Sequence, residues 1–194
     1  MAIRQILRTF LVAAAVVGAA TPGLAQTREI DSERSTLTVQ AYKSGLFSAF
    51  AHDHVISAPI ARGSVSETAP RSVTLAIRTG ALKVLDPTLA AHRRPEVLAR
   101  MLGPDVLDAA TFPEIAFSST SIESSGAGSW MVSGRLMLHG QAREVTFPTT
   151  GQDGRYRGTV RIKQRAFGIE PISLGGGTVK VKDEVTITFD IVLR

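Results

Sequence analysis

From Ile30 onward the apolar residues fall mostly on every second position, the signature of strands with one buried face. Leu37, Val39 and Ala41 alternate with Thr36, Thr38 and Gln40, and Val73, Leu75 and Ile77 alternate with Ser72, Thr74 and Ala76. Ile115 and Phe117 share a face. Val132, Gly134, Leu136 and Leu138 form a further row, and Val145 and Phe147 open another after a turn at His139-Gly140-Gln141. Val160 and Ile162, then Val179 and Val181, then Val185 through Leu193 complete the pattern. Turns are expected at Ala69-Pro70, Ser125–Gly128, Asp153-Gly154 and Lys182-Asp183-Glu184. Strands so spaced, without repeated helices between them, predict an all-β antiparallel sandwich or closed barrel. One region departs from the pattern. Between Asp86 and Asp108 the residues Leu89, Val97, Leu98, Met101 and Leu102 recur at helical intervals. This predicts a short helix over Pro95–Leu102, stopped by Gly103-Pro104, with a second helical turn over Pro104–Ala110.

The N-terminus has a different grammar. Arg4 and Arg8 precede an apolar stretch, Phe10–Ala20, of only 11 residues, too short to cross a bilayer. Small residues at Gly23 and Ala25 follow. The pattern is that of a secretory signal peptide cleaved after Ala25, leaving residues 26–194 as one domain in the periplasm. A buried N-terminal helix is the alternative, and Pro22-Gly23 argues against it.

Composition narrows the function. With 194 residues, 44% of them hydrophobic, the chain is long enough for one real core. It contains no cysteine, which excludes disulfide frameworks, thiolate metal sites and cysteine nucleophiles. The net charge of +5 falls to +3 once Arg4 and Arg8 leave with the signal segment. The remaining basic residues are scattered and not interleaved with aromatics, so no nucleic-acid partner is expected. Transient attraction to anionic lipid head groups at a membrane surface stays compatible with this charge.

Candidate chemistry is sparse. In an extended segment His52 and His54 project to one face and Asp53 to the other. Three readings follow: polar groups at a barrel mouth that touch a ligand, imidazole ligands for a divalent metal together with His92 or His139, or a general base acting on a lipid. Phe47 and Phe50 flank the segment as apolar contacts for a ligand or for ordinary core. Arg165 and Phe167 end a strand, where the arginine either meets a head-group oxygen or is simply solvated. Arg93 and Arg94, at the start of the helical region, are open to the same two readings. Leu174–Thr178 is glycine-rich but lacks the strand, helix and lysine of a phosphate-binding loop. No nucleophile elbow or paired-carboxylate motif stands out, so no enzyme activity and no cofactor are expected.

Several segments in order carry a resemblance: Gly45–His54, Leu107–Ser119 (with Thr111-Phe112-Pro113), Gly134–Gly140, Gln164–Ile169 and Val179–Val185. Together they resemble the YceI-like family of periplasmic polyisoprenoid-binding proteins over roughly residues 28–194. The resemblance implies an eight-stranded antiparallel, lipocalin-like β-barrel with a short helical insertion at about residues 88–110. It implies a lumen holding one isoprenoid lipid, an isoprenoid quinone or a polyprenyl phosphate, and no chemistry; a homodimer is compatible with it. Ligand contacts are expected from Phe47, Phe50, His52, His54, Arg165 and Phe167. Here the helical region reads Ala91-His92-Arg93-Arg94-Pro95-Glu96, without the acidic residue followed by His-Leu common in the family. An eight-stranded barrel either packs shut or holds one small ligand. Only 6% of residues are aromatic, which favours small liners and an open lumen.

Overall fold

Alternation becomes strand almost everywhere it was expected. In the computed structural model, which describes residues 26–44, 53–174 and 179–194, twelve strands join in one antiparallel sheet. In chain order these are β1 (Thr27–Glu29), β2 (Thr36–Ser44), β3 (His54–Ser57), β4 (Ile60–Ser66), β5 (Ser72–Arg78) and β6 (Lys83–Val84). After a nine-residue helix α1 (Arg94–Leu102) come β7 (Glu114–Gly126), β8 (Ser129–Leu138), β9 (Gln141–Gln152), β10 (Arg155–Lys163), β11 (Ser173–Leu174) and β12 (Val179–Val192).

The sheet runs β1-β4-β5-β7-β8-β9-β10-β12-β2-β3-β6. Because β1 leads directly into β2, and β3 into β4, the two ends of this path belong to the same two chain segments, and the sheet closes on itself. Ile30 bridges Leu193 at the seam, and the backbone N–H of Arg194 donates to the Glu29 carbonyl at 2.9 Å. Twelve strands therefore replace the eight expected. The reason is local: a turn at 32–34 splits β1 from β2 and Pro59 splits β3 from β4, while β6 and β11 are two-residue flanking strands. Closure removes the free edges that an open sheet leaves for aggregation.

Two further differences concern turns. The expected turn at Lys182-Asp183-Glu184 is a bulge inside the single 14-residue strand β12, between Val181 and Val185. The polar residues there are used against the preceding segment: Asp183 Oδ1 accepts the Arg165 backbone N–H at 2.9 Å, and the Lys182 carbonyl accepts from Gln164 Nε2 at 2.8 Å. The second helical turn expected over Pro104–Ala110 is a series of non-helical turns. The main helix begins at Arg94 with Pro95 in its first turn, where a missing N–H costs nothing. At the β8–β9 hairpin His139 and Gly140 take φ of 49° and 68°, the double left-handed turn that suits the twist of paired strands.

All the hairpin turns at one end, near Glu67–Pro70, Ala127-Gly128 and Asp153-Gly154, define what is here called the hairpin end. The opposite, insertion end carries His54, the β8–β9 turn and the segment 79–113 that contains α1. Met101 and Leu102 of this segment pack on Ile56, Ala58, Ile77 and Leu82, which fixes the helix against the barrel wall.

Candidate functional site

A cavity of about 790 Å³ occupies the barrel, within the ~300–1,000 Å³ range of small-molecule sites. Its walls are the inward rows of the strands, each apolar over most of its length. Leu37, Val39 and Ala41 face it from β2, Val73, Leu75 and Ile77 from β5, and Ile187, Phe189 and Ile191 from β12. Phe117, Phe147 and Phe189 meet mid-lumen, with ring centroids 5.6 and 5.7 Å apart. Room for them comes from glycine. A Cβ on Gly134 would collide with the Phe117 ring, and one on Gly158 would lie 2.5 Å from Phe189 Cζ. The rings therefore lie back against the strands and do not plug the centre.

At the insertion end the inward rows change character. The β2 row ends in Lys43, the β10 row in Gln164, and β3 begins with His54; Lys180 of β12 also lines this end. His54 is held by a buried carboxylate. Its Nδ1 lies 2.6 Å from Oδ2 of Asp86, which is 0% exposed, and the Val55 backbone N–H donates to the other Asp86 oxygen. Since the carboxylate can only accept, Nδ1 carries the proton of this bond, and Nε2 is the ring nitrogen left for another partner. The Asp86 carbonyl accepts from Arg94 Nη2 at 2.9 Å, so one residue joins β3 to the helical segment. That bond takes Arg94 away from the cavity, its Nε buried without a partner among the described residues; Arg93 lines the cavity.

The hairpin end is capped by side chains with polar tips. The Trp130 indole N–H donates to the Gly151 carbonyl at 3.1 Å, and the Arg71 guanidinium stacks 4.7 Å from its ring centroid. Glu67 accepts from the Tyr156 hydroxyl at 2.5 Å, from Arg28 Nη1 at 2.8 Å and from the Gly154 N–H at 3.1 Å. Burial pushes the Glu67 carboxyl up, but the bonds from Tyr156, Arg28 and Gly154 outweigh it and leave it below its ordinary value. The same burial, with Glu67 opposite, raises the Tyr156 phenol well above its ordinary value. Thr149 also lines this end, 7% exposed, its hydroxyl buried without a hydrogen-bond partner among the described residues.

Of the six expected contact residues, Phe47, Phe50 and His52 lie outside the described residues. His54 lines the cavity. Arg165 and Phe167 do not. Phe167, 1% exposed, packs with Val106, Leu138 and Ile162, because Gln164–Phe167 forms a 3-10 turn that folds it beneath the wall. Arg165 is exposed and pairs with Glu170 at 3.1 Å. His139 is likewise occupied elsewhere, its Nδ1 3.1 Å from the Phe167 carbonyl. Among the described residues no three His, Cys, Asp or Glu side chains gather as a metal site needs, so His54, His92 and His139 are not brought together. Asp86, Glu67, Tyr156, Trp130 and the three phenylalanines were not singled out from sequence. In the sequence Asp86 only opens the helical region, and Phe117, Phe147 and Phe189 belong to the alternating strand rows.

A closed antiparallel barrel with a deep apolar lumen and a helical insertion defines a class of small-ligand-binding barrels. The YceI-like domain model matches residues 29–193, and the chain belongs to that family. Among curated relatives, a UPF0312 protein of Pseudomonas syringae is 35% identical over 96 residues, 44% of this chain and 48% of the relative. A UPF0312 protein of Vibrio cholerae is 32% identical over 76 residues, 34% of this chain and 40% of the relative. The matches thus span about half the length of these relatives or less. Among solved structures, Burkholderia cenocepacia BcnA superposes with a TM-score of 0.64 at 23% identity, over 84% of this chain and 98% of BcnA. A polyisoprenoid binding domain from Saccharophagus degradans, implicated in plant cell wall breakdown, gives 0.57 at 13% identity, over 86% and 97%. At these identities the likeness is one of fold.

Proposed function

We propose that this protein binds one isoprenoid lipid in the barrel lumen and carries it through the periplasm without altering it. The carrying observation is the continuous apolar cavity of about 790 Å³ inside a closed barrel. Family membership and the fold shared with a polyisoprenoid binding domain support the reading. Each buried methylene contributes about 0.8 kcal/mol, so ten of them supply roughly 8 kcal/mol before ordering costs. Shape and apolar area suffice to hold a flexible chain. His54, fixed by Asp86 at the insertion end, is the polar contact for the part of the ligand that stays near water. Export rests on the basic start and short apolar stretch of residues 1–25.

The test is extraction of protein purified from the cell envelope, followed by mass spectrometry of the extract. An isoprenoid is expected at near-stoichiometric amount. Ala41→Trp, which places an indole in the lumen from β2, should purify folded and without it. Repeated extracts free of isoprenoid, or an unchanged lipid content in Ala41→Trp, would refute the reading.

A further inference from the structure

We propose that the hairpin end of the cavity is a second hydrogen-bonding subsite, and that the lipid carried in the lumen bears a hydroxyl group on the chain end that lies deepest. The inference rests on the lumen-binding reading and deepens it, because it sets the chemistry of the chain end buried away from water.

Thr149 carries the argument. It lines the cavity from β9, two residues beyond Phe147 on the same inward row, and is 7% exposed. Two buried side-chain atoms have no hydrogen-bond partner among the described residues, Thr149 Oγ1 and Arg94 Nε, and of these residues Thr149 is the one that lines the cavity. Valine has the same shape and would leave no polar atom unsatisfied there. A buried hydroxyl facing an apolar lumen is a local cost, and such costs concentrate at functional sites.

The neighbours of Thr149 define what the missing bond can be. In register, Trp130 of β8 stands opposite Thr149 on one side and Gly158 of β10 on the other. Tyr156 is the next inward residue of β10 toward the hairpin end, a diagonal neighbour of Thr149. The other polar side chains there already have partners. The Trp130 N–H donates to the Gly151 carbonyl, the Ser66 hydroxyl to the Thr68 carbonyl, and the Tyr156 hydroxyl to Glu67. Having given its proton to Glu67, Tyr156 can still accept through its oxygen, whereas Thr149 can donate or accept. A ligand hydroxyl fits both, accepting from Thr149 and donating to Tyr156. A carbonyl or an ether oxygen meets only the first. Charge is disfavoured in either sign: Glu67 repels an anion, and Arg28 and Arg71 at the same end repel a cation. The matching group is therefore a neutral hydroxyl.

The lumen is long enough to keep two polar ends apart. Leu138 near the insertion end and Trp130 at the hairpin end both line it from β8. A tilted strand covers about 20 Å between them. One end of a lipid can thus stay beside His54 while the other reaches Thr149.

Isothermal titration of the full-length protein, freed of bound lipid on a hydrophobic resin, with geranylgeranoic acid and with 16-hydroxygeranylgeranoic acid tests this. The two share a chain and a carboxylate, which stays in water at the insertion end; they differ by one hydroxyl at the far end. A hydroxyl entering an apolar lumen without a partner would weaken binding about tenfold or more. The wild type is expected instead to bind the hydroxy acid at least as tightly as the parent acid. In Thr149→Val the hydroxy acid should bind about tenfold more weakly than in the wild type, and the parent acid more tightly. Thr149→Ser, which keeps the oxygen, should keep the wild-type order. Weaker binding of the hydroxy acid than of the parent acid by the wild type overturns the subsite and leaves lumen binding standing. A ratio unchanged in Thr149→Val, or lost equally in Thr149→Ser, overturns it as well. Failure of both acids to bind overturns the lumen reading and the subsite with it.

Discussion

The Thr149 hydroxyl has no hydrogen-bond partner among the described residues. The residue sits 7% exposed on an inward position of β9, its oxygen buried. An unsatisfied buried polar group costs about 1–3 kcal/mol, and an isosteric apolar replacement removes that cost. Thr149→Val is therefore expected to raise stability by about 1 kcal/mol, read as a higher urea midpoint at unchanged slope. A lower midpoint would show that the hydroxyl is satisfied in solution. Individual residues are where the sequence said least. His54 stands out in the sequence because His52 lies two residues before it, on the same face of an extended segment. Its partner Asp86 does not, since 32 residues separate them and only the fold brings the carboxylate to the imidazole. Arg165 and Phe167 follow a strand end that becomes a 3-10 turn, which buries Phe167 and leaves Arg165 with Glu170.

Among the elements, the strands were legible and their joints were not. Period-two alternation survives wherever one face is buried, so β2, β5, β8, β10 and the second half of β12 follow the expected rows. The segment His54–Ser66 escaped notice because Pro59 and Gly63 interrupt it, although it pairs with β2 on one side and β5 on the other. The Lys182–Glu184 stretch reads as a turn by composition, yet its carbonyl and carboxylate serve the neighbouring 3-10 turn and the strand runs through. Besides the packing of Met101 and Leu102 on the barrel wall, Asp86 ties the helical segment to β3. Removing that carboxylate strands the Val55 N–H and frees His54, so Asp86→Ala should cost about 2–4 kcal/mol, measured by urea denaturation. A loss under 1 kcal/mol would mean that apolar packing of Met101 and Leu102 alone docks the insertion.

For the whole molecule the decisive event is closure. Glu67 accepts from Arg28 on β1, Tyr156 on β10 and the Gly154 N–H, so three chain segments meet on one carboxylate beside the seam. On the outer face Asp190 accepts from Arg155 at 2.7 Å and Arg157 at 2.9 Å; the Arg155 bond holds its carboxyl down at about 2, against burial, with Arg157 adding to the effect. Both carboxyls have folded pKa values below their ordinary ones. The stability they add is present above the ordinary value and lost as pH falls through the folded one. For Asp190 that window runs from its ordinary 3.8 down to about 2. Stability should thus decline steeply below pH ~4, and in Glu67→Gln/Asp190→Asn the decline should be shallower, followed by thermal melts across pH 2–7. Parallel profiles for the two proteins would contradict it.

What the sequence determined by itself was the two-faced strand and the break at the helical insertion; the aliphatic rows it predicted share the lumen with Phe117, Trp130, Phe147, Tyr156 and Phe189. The strand and the break follow from burial periodicity, which is local and survives in any register. Tertiary structure alone decided which rows face a common lumen, which cations crowd its rim, and which carboxylate supports His54. Those are contacts between residues far apart in the chain, set by register and closure, and no short window of sequence contains them.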